Sequence, residues 1–254
     1  MYSEHDKKIS HILGESVHFL THFEGSFFTT LKTFFKSPGK LSLDYCSGIR
    51  KKYFRPIPFF LMLVALYFLF PRFEGLNMRA DTYANKNSSF AWISDPVFKW
   101  KMKKENREYA EIADRYDKKS PKLSKILLLL FIPLSASVLM LLFLNKRRLA
   151  FDHFVLASEL VSFVILSQFL LLPLVSWVVE RTAPGYSYVF RDGSWVWWTM
   201  FFLFSVFTAV AFRHFYREKR WLSGIKALLF LILFTTFIKY TYSVIVFLVT
   251  MLFV

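Results

Sequence analysis

From Ile126 to Leu144 the chain reads ILLLLFIPLSASVLMLLFL, without one charge. That is close to the roughly 20 apolar residues a helix needs to cross a bilayer. The composition agrees. Of the 254 residues, 55% are hydrophobic and 20% aromatic, with 32 Phe, against about 45–50% apolar in an ordinary soluble domain. A soluble globular enzyme and a disordered chain are excluded. Cys46 is the only cysteine, so a disulfide-stapled secreted domain is excluded as well.

The expected fold is an all-α integral membrane protein with about five transmembrane helices. The spans fall at 56–70, 124–144, 152–179, 195–212 and 221–254. Pro56 and Pro58 suit a first helical turn, where the missing N–H costs nothing. Trp195, Trp197 and Trp198 open the fourth span in the manner of a membrane–water boundary. The fifth stretch is about 50 Å long if wholly helical, against about 30 Å of hydrocarbon. It holds Lys239, but neither Gly nor Pro occurs after Lys226, which favours one long helix over a broken one.

Residues 1–55 read as a cytoplasmic or interfacial lead. Within it Leu20, Phe23, Phe27, Leu31 and Phe34 recur at three- and four-residue intervals, the stripe of an amphipathic helix lying in the membrane surface. The loop 71–123 is expected to hold an extracytoplasmic helix over 96–119, with Asp95 as N-cap, Pro96 at its first position and Pro121 as its stop. No cleavable signal peptide is expected from MYSEHDKKIS. No internal repeat supports an inverted-repeat transporter.

Lys and Arg total 33 against 18 Asp and Glu, a net charge of +15. Nucleic-acid signatures are absent, so the excess reads as an orientation signal. The loops NKRR and RHFYREKR are strongly basic, which places the N-terminus in the cytoplasm and the C-terminus outside. The loop 71–123 carries 12 Lys/Arg, but long loops translocate largely regardless of charge.

The stretch FFTTLKTFFKSPGKLSLDYCSGIRKKYFRPIPFFL, from Phe27 to Leu61, resembles the opening of a family of uncharacterised multi-spanning membrane proteins common in Bacteroidota. Pro38, Gly39, Tyr45, Gly48, Arg50, Tyr53 and Pro56 match the family's pattern, while Ile49 stands where it usually has Lys. FDHFVLASELVSF at Phe151–Phe163 is similar to a second family stretch. Asp152 and His153 are kept there, but Glu159 and Val161 replace two His. Many members carry an N-terminal zinc ribbon, which this chain lacks. The resemblance implies a multi-pass protein of a bacterial inner membrane and implies no reaction. In that setting Cys46 reads as a plain small residue.

Asp152, His153, Glu159 and Lys226 form the candidate intramembrane polar site. Asp152 and Glu159 share a helix face, and Lys226 lies at a depth where it can pair with either acid. The functional reading is a proton- or cation-responsive site, because charge inside a membrane helix is costly. The plainer reading is an anchor that fixes helix packing, with Asp152 acting as an N-cap. His11, Glu15, His18 and His22 share a stripe on the lead, and His at i and i+4 can chelate zinc. A straight helix cannot wrap four ligands round one ion, so a solvated face is the plainer account. No metal or cofactor is assigned.

Nucleophile–base pairs, phosphate-binding loops and paired-Cys sites are missing, so no enzymatic activity is expected. The expected function is that of a non-enzymatic accessory or assembly subunit of a larger membrane complex. Protein export or envelope biogenesis would suit such a subunit. The expected partners are the lipid bilayer and another membrane protein, with no nucleic acid. The alternative is a small transporter or lipid-handling protein using Asp152 and Glu159.

Overall fold

The computed structural model describes residues 25–69, 77–85, 87–183, 185 and 193–254. His11, Glu15, His18 and His22, with the lead before residue 25, lie outside the described residues. All regular structure among the described residues is helical. In chain order the helices are α1 (25–36), α2 (Lys40–Cys46), α3 (Pro56–Leu69), α4 (Ala80–Ala84) and α5 (Ala91–Glu105). They continue with α6 (Tyr109–Leu142), α7 (Ala150–Thr182), α8 (Gly193–Tyr216) and α9 (Arg220–Phe253).

Four of these, α6 to α9, hold stretches long and apolar enough to cross a membrane, so the chain is a membrane protein. The fifth expected span is α3, with 14 residues, about 21 Å by helical rise. Its described residues are fewer than a spanning helix needs, and α1 packs beside its base. The ring of Phe59 stands 6.3 Å from Phe27 and 5.5 Å from Phe34 of α1. At its far end Tyr67 lies 4.7 Å beneath the Lys125 ammonium of α6.

The first half of α7 is the axis of the bundle. Every residue from Val155 to Val164 is buried. Against it pack Ser135 and Ala136 of α6, both fully buried. Small residues bring helix backbones close, and in lipid close packing takes over from the hydrophobic effect as the driving force. Aromatic rings fill the remainder: Phe163 stacks on Phe207 at 4.1 Å and Phe143 on Tyr216 at 3.6 Å. Such pairs add about 0.5–1.5 kcal/mol each beyond the area they bury. A π-helical step at Ile165–Leu171 then carries α7 outward, and no residue of Leu172–Thr182 is buried.

A second core stands at the far end of α6 and α9. The helices α6 and α9 have 34 residues each, about 51 Å, and so both outrun the bilayer. Their projecting ends pack together through Ile112, Ala113, Tyr116, Phe247 and Met251, and α4 and α5 close the cap with Ala80, Tyr83, Phe90 and Phe98. Tyr83 donates to the Ser243 carbonyl at 2.9 Å, and Trp92 donates to the Tyr240 hydroxyl at 2.6 Å. Residues 221–253 thus lie in a single helix, with one π-helical turn at Phe234–Ile238.

The helix expected over 96–119 is two helices. α5 begins at Ala91, so Asp95 and Pro96 lie inside it, and it ends at Asn106, which takes a left-handed conformation (φ 52°). Asn tolerates that conformation and ends helices this way. Pro121 does not stop α6. It removes one backbone hydrogen bond, but Tyr116 on one side is locked in the cap and Leu128 on the other in the bundle. Local stop signals yield to packing on both flanks, and the span expected to begin at 124 continues a helix begun at Tyr109.

Candidate functional site

The polar centre of the molecule lies where the lead enters the bundle. Pro38 and Gly39 form a tight turn between α1 and α2, with Gly39 at φ 79°. A Cβ on Gly39 would stand 2.5 Å from the Ala211 carbonyl oxygen and 2.7 Å from its Cα. Glycine is required twice over here, for its left-handed backbone and for the close approach of α8. His214 of α8 donates from Nδ1 to the Pro38 carbonyl at 2.7 Å.

This turn sits beside Glu159, roughly 10 Å along α7 from Asp152. Non-helical backbone at membrane depth is tolerated only where protein satisfies its polar groups, and Glu159 does so. Its Oε1 accepts the Gly39 N–H at 2.7 Å, and its Oε2 accepts the Ser42 N–H at 3.0 Å and the Ser42 hydroxyl. Ser42 Oγ also contacts the Val155 carbonyl at 3.3 Å. Glu159 therefore caps the first turn of α2 from a different helix, and both its oxygens are engaged by the lead.

The residues of the family pattern build the same seat. Gly48 (φ 93°) ends α2 in a left-handed conformation, and the Ile49 N–H returns to the Asp44 carbonyl at 2.9 Å. Tyr45 lies tilted against Phe151, ring centroids 6.3 Å apart, and beneath the Arg50 guanidinium at 5.3 Å. The Tyr53 hydroxyl donates to Asp44 Oδ2 at 2.8 Å, and the Phe54 N–H donates to Thr30 Oγ1 at 2.7 Å. Pro56 opens α3, where no N–H is needed.

Asp152, His153, Glu159 and Lys226 make separate contacts. Asp152 is not the N-cap, a place held by Leu149; it is the third residue of α7, reaches back to accept the Leu149 N–H at 3.4 Å, and lies 3.7 Å from Arg148. His153, buried, pairs through Nδ1 with the Tyr216 hydroxyl at 2.7 Å. Lys226 pairs with neither Asp152 nor Glu159. Its ammonium lies 3.0 Å from Glu218 Oε1 and 4.2 Å over the Phe143 ring, and Lys146 reaches the same Glu218 oxygen at 3.3 Å. Burial raises the Glu218 pKa, but the two ammonium groups outweigh it and hold the carboxyl below its ordinary value.

Sequence reasoning missed Ser42, His214, Tyr216 and Glu218. Glu218 had a signal, as the lone acid in the basic run RHFYREKR. The other three meet their partners across 60 positions or more. Cys46 lies beside Asp152, and burial, reinforced by that carboxylate, pushes its thiol up to about 12. Such a thiol is inert at neutral pH. Among the described residues no three His, Cys, Asp or Glu come together as metal ligands.

Residues 24–68 match the model of a family described as a protein of unknown function, DUF3667. The matched stretch runs over α1 to α3 and includes the turn that Glu159 seats. No curated protein and no solved structure matches the chain.

Proposed function

We propose that this chain is a non-enzymatic accessory or assembly subunit of a larger complex in a bacterial inner membrane, its N-terminus cytoplasmic and its C-terminus outside. The observation that carries the reading is the second half of α7. From Val155 to Ile165 every residue of that helix is buried, yet two turns further on no residue of Leu172–Thr182 is. Leu174, Val175, Trp177 and Val178 stand exposed, a lateral surface for a helix of another membrane protein. The engagement of both Glu159 oxygens by the lead supports a positioning role for that residue over a carrier's. Envelope biogenesis or protein export is the setting such a subunit would suit.

The test is purification of the tagged full-length chain from its native membrane in mild detergent. A stoichiometric membrane-protein partner is expected, and Leu174→Ala with Trp177→Ala should release it while leaving the chain abundant. A chain that purifies alone or with copies of itself would sink the reading.

A further inference from the structure

The charges at the two ends of the molecule are arranged differently. At the cap, acids share the surface with cations: Arg107 pairs with Glu111, Arg115 with Glu105, Lys118 with Asp114 and Arg79 with Asp117, while Lys99, Lys103, Lys104 and Lys122 stand exposed outside these pairs. At the end formed by the lead and the loops 143–149 and 217–219, the acids turn inward. Among the described residues these are Asp44, Asp152, Glu159 and Glu218, held by Tyr53, Arg148, the lead turn and the Lys146–Lys226 pair. The outward cations of that end, Lys32, Lys36, Lys51, Arg55 and Arg220 among them, are exposed and make no ion pair with any described residue.

Apolar side chains are interleaved with these cations. On α1 the inner stripe of Phe27, Leu31 and Phe34 packs on the bundle. The outer face sets Phe28 (64% exposed) and Phe35 (47% exposed) beside Lys32 and Lys36. A soluble polyanion, whether nucleic acid or acidic protein, matches the lysines and leaves the phenylalanines in water. The boundary of an acidic bilayer matches both, because rings enter the acyl region and ammonium groups reach the phosphates.

We infer that the lead and the two basic loops form a docking collar for anionic phospholipid headgroups, with α1 seated in the leaflet as its anchor. The collar does not depend on the subunit reading, since it concerns the lipid around the chain. Anionic lipid contributes about 1 kcal/mol per basic residue near the surface, so three such charges correspond to about a hundredfold in lipid affinity.

The purified full-length chain in mild non-ionic detergent, offered equal phosphatidylglycerol and phosphatidylcholine, should retain the anionic lipid at least tenfold in excess by native mass spectrometry. Lys36→Gln, Lys51→Gln and Arg55→Gln together should bring the two lipids close to parity. Lys99→Gln, Lys103→Gln and Lys122→Gln, the same charge loss toward the cap end, should leave the preference intact. Equal retention of both lipids by the unaltered chain overturns the proposal, a result that needs no variant to fold. Equal loss of preference in both variants overturns it too, as does a short oligonucleotide or acidic peptide displacing phosphatidylglycerol at equal concentration.

Discussion

Glu159 and Gly39 are 120 positions apart in the chain, yet the carboxylate of one accepts the backbone N–H of the other at 2.7 Å inside the bundle. The same carboxylate takes the N–H and hydroxyl of Ser42. A side chain that reads as a membrane charge in search of a function is thus the acceptor that lets a backbone turn sit among helices.

Glu159→Gln keeps the shape and replaces one acceptor oxygen by a donor. Gly39 or Ser42 then faces an amide NH₂, and a buried donor goes unpaired at a cost of about 1–3 kcal/mol. The melting temperature in detergent should fall. Ser42→Ala, which removes one donor and strands none, should lower it less. Equal melting of Glu159→Gln and the unaltered chain would show that the seat contributes nothing.

Gly39→Ala meets both a left-handed backbone and the Ala211 main chain. A loss of about 3 kcal/mol or more is expected. Because the clashing atoms belong to the Ala211 backbone, adding Ala211→Gly should not restore stability. Recovery in that double variant, measured by thermal unfolding, would contradict the geometry.

Glu218 titrates below its unfolded value of about 4.3. A depressed carboxyl stabilises the folded state at any pH above the unfolded pKa, and that stability is lost as pH falls through the folded one. Glu218→Gln should therefore melt lower than the unaltered chain at pH 7. The gap should narrow as the pH drops below about 4. A gap unchanged across that window would mean the lysine pair does not hold the acid.

Cys46, the sole thiol, makes a clean probe. With its pKa near 12, labelling of the folded chain by a thiol-disulfide reagent at pH 8 should be far slower than of the unfolded chain. Burial is the larger cause and the Asp152 carboxylate the next, so Asp152→Asn should speed labelling part of the way.

The cap should loosen without the bundle. Phe247 stacks on Tyr83 at 4.7 Å and touches Phe98 and Tyr116. Phe247→Ala should cost the cap about 3–5 kcal/mol and expose 77–108 to limited proteolysis, while α7 and α8 stay protected. Cleavage spread evenly along the chain would mean that the two cores unfold as one.

Much of this was legible from the sequence, for a physical reason. Ile126–Leu144 and the glycine-free stretch after Lys226 can be little other than membrane helices, since lipid admits so few backbone forms. The amphipathic stripe of Phe27, Leu31 and Phe34 likewise announces a helix with one packed face. The site was half legible. Glu159 stood out as a buried charge, but its partners are backbone N–H groups and a serine, which carry no charge to search for, so Lys226 was its apparent mate. Asp95, Pro96 and Pro121 are honest local signals. They were overridden because Phe98, Tyr116 and Leu128 are pinned by cores that residues far along the chain complete.

The order of synthesis gives the lead turn a further meaning. Its N–H groups emerge first and would be stranded in lipid, yet the carboxylate that receives them is made more than a hundred residues later. The turn can be satisfied in its native place only once the first turns of α7 exist, so a segment translated ahead of the spanning helices α6 to α9 completes its polar contacts after α6 and the start of α7 are made.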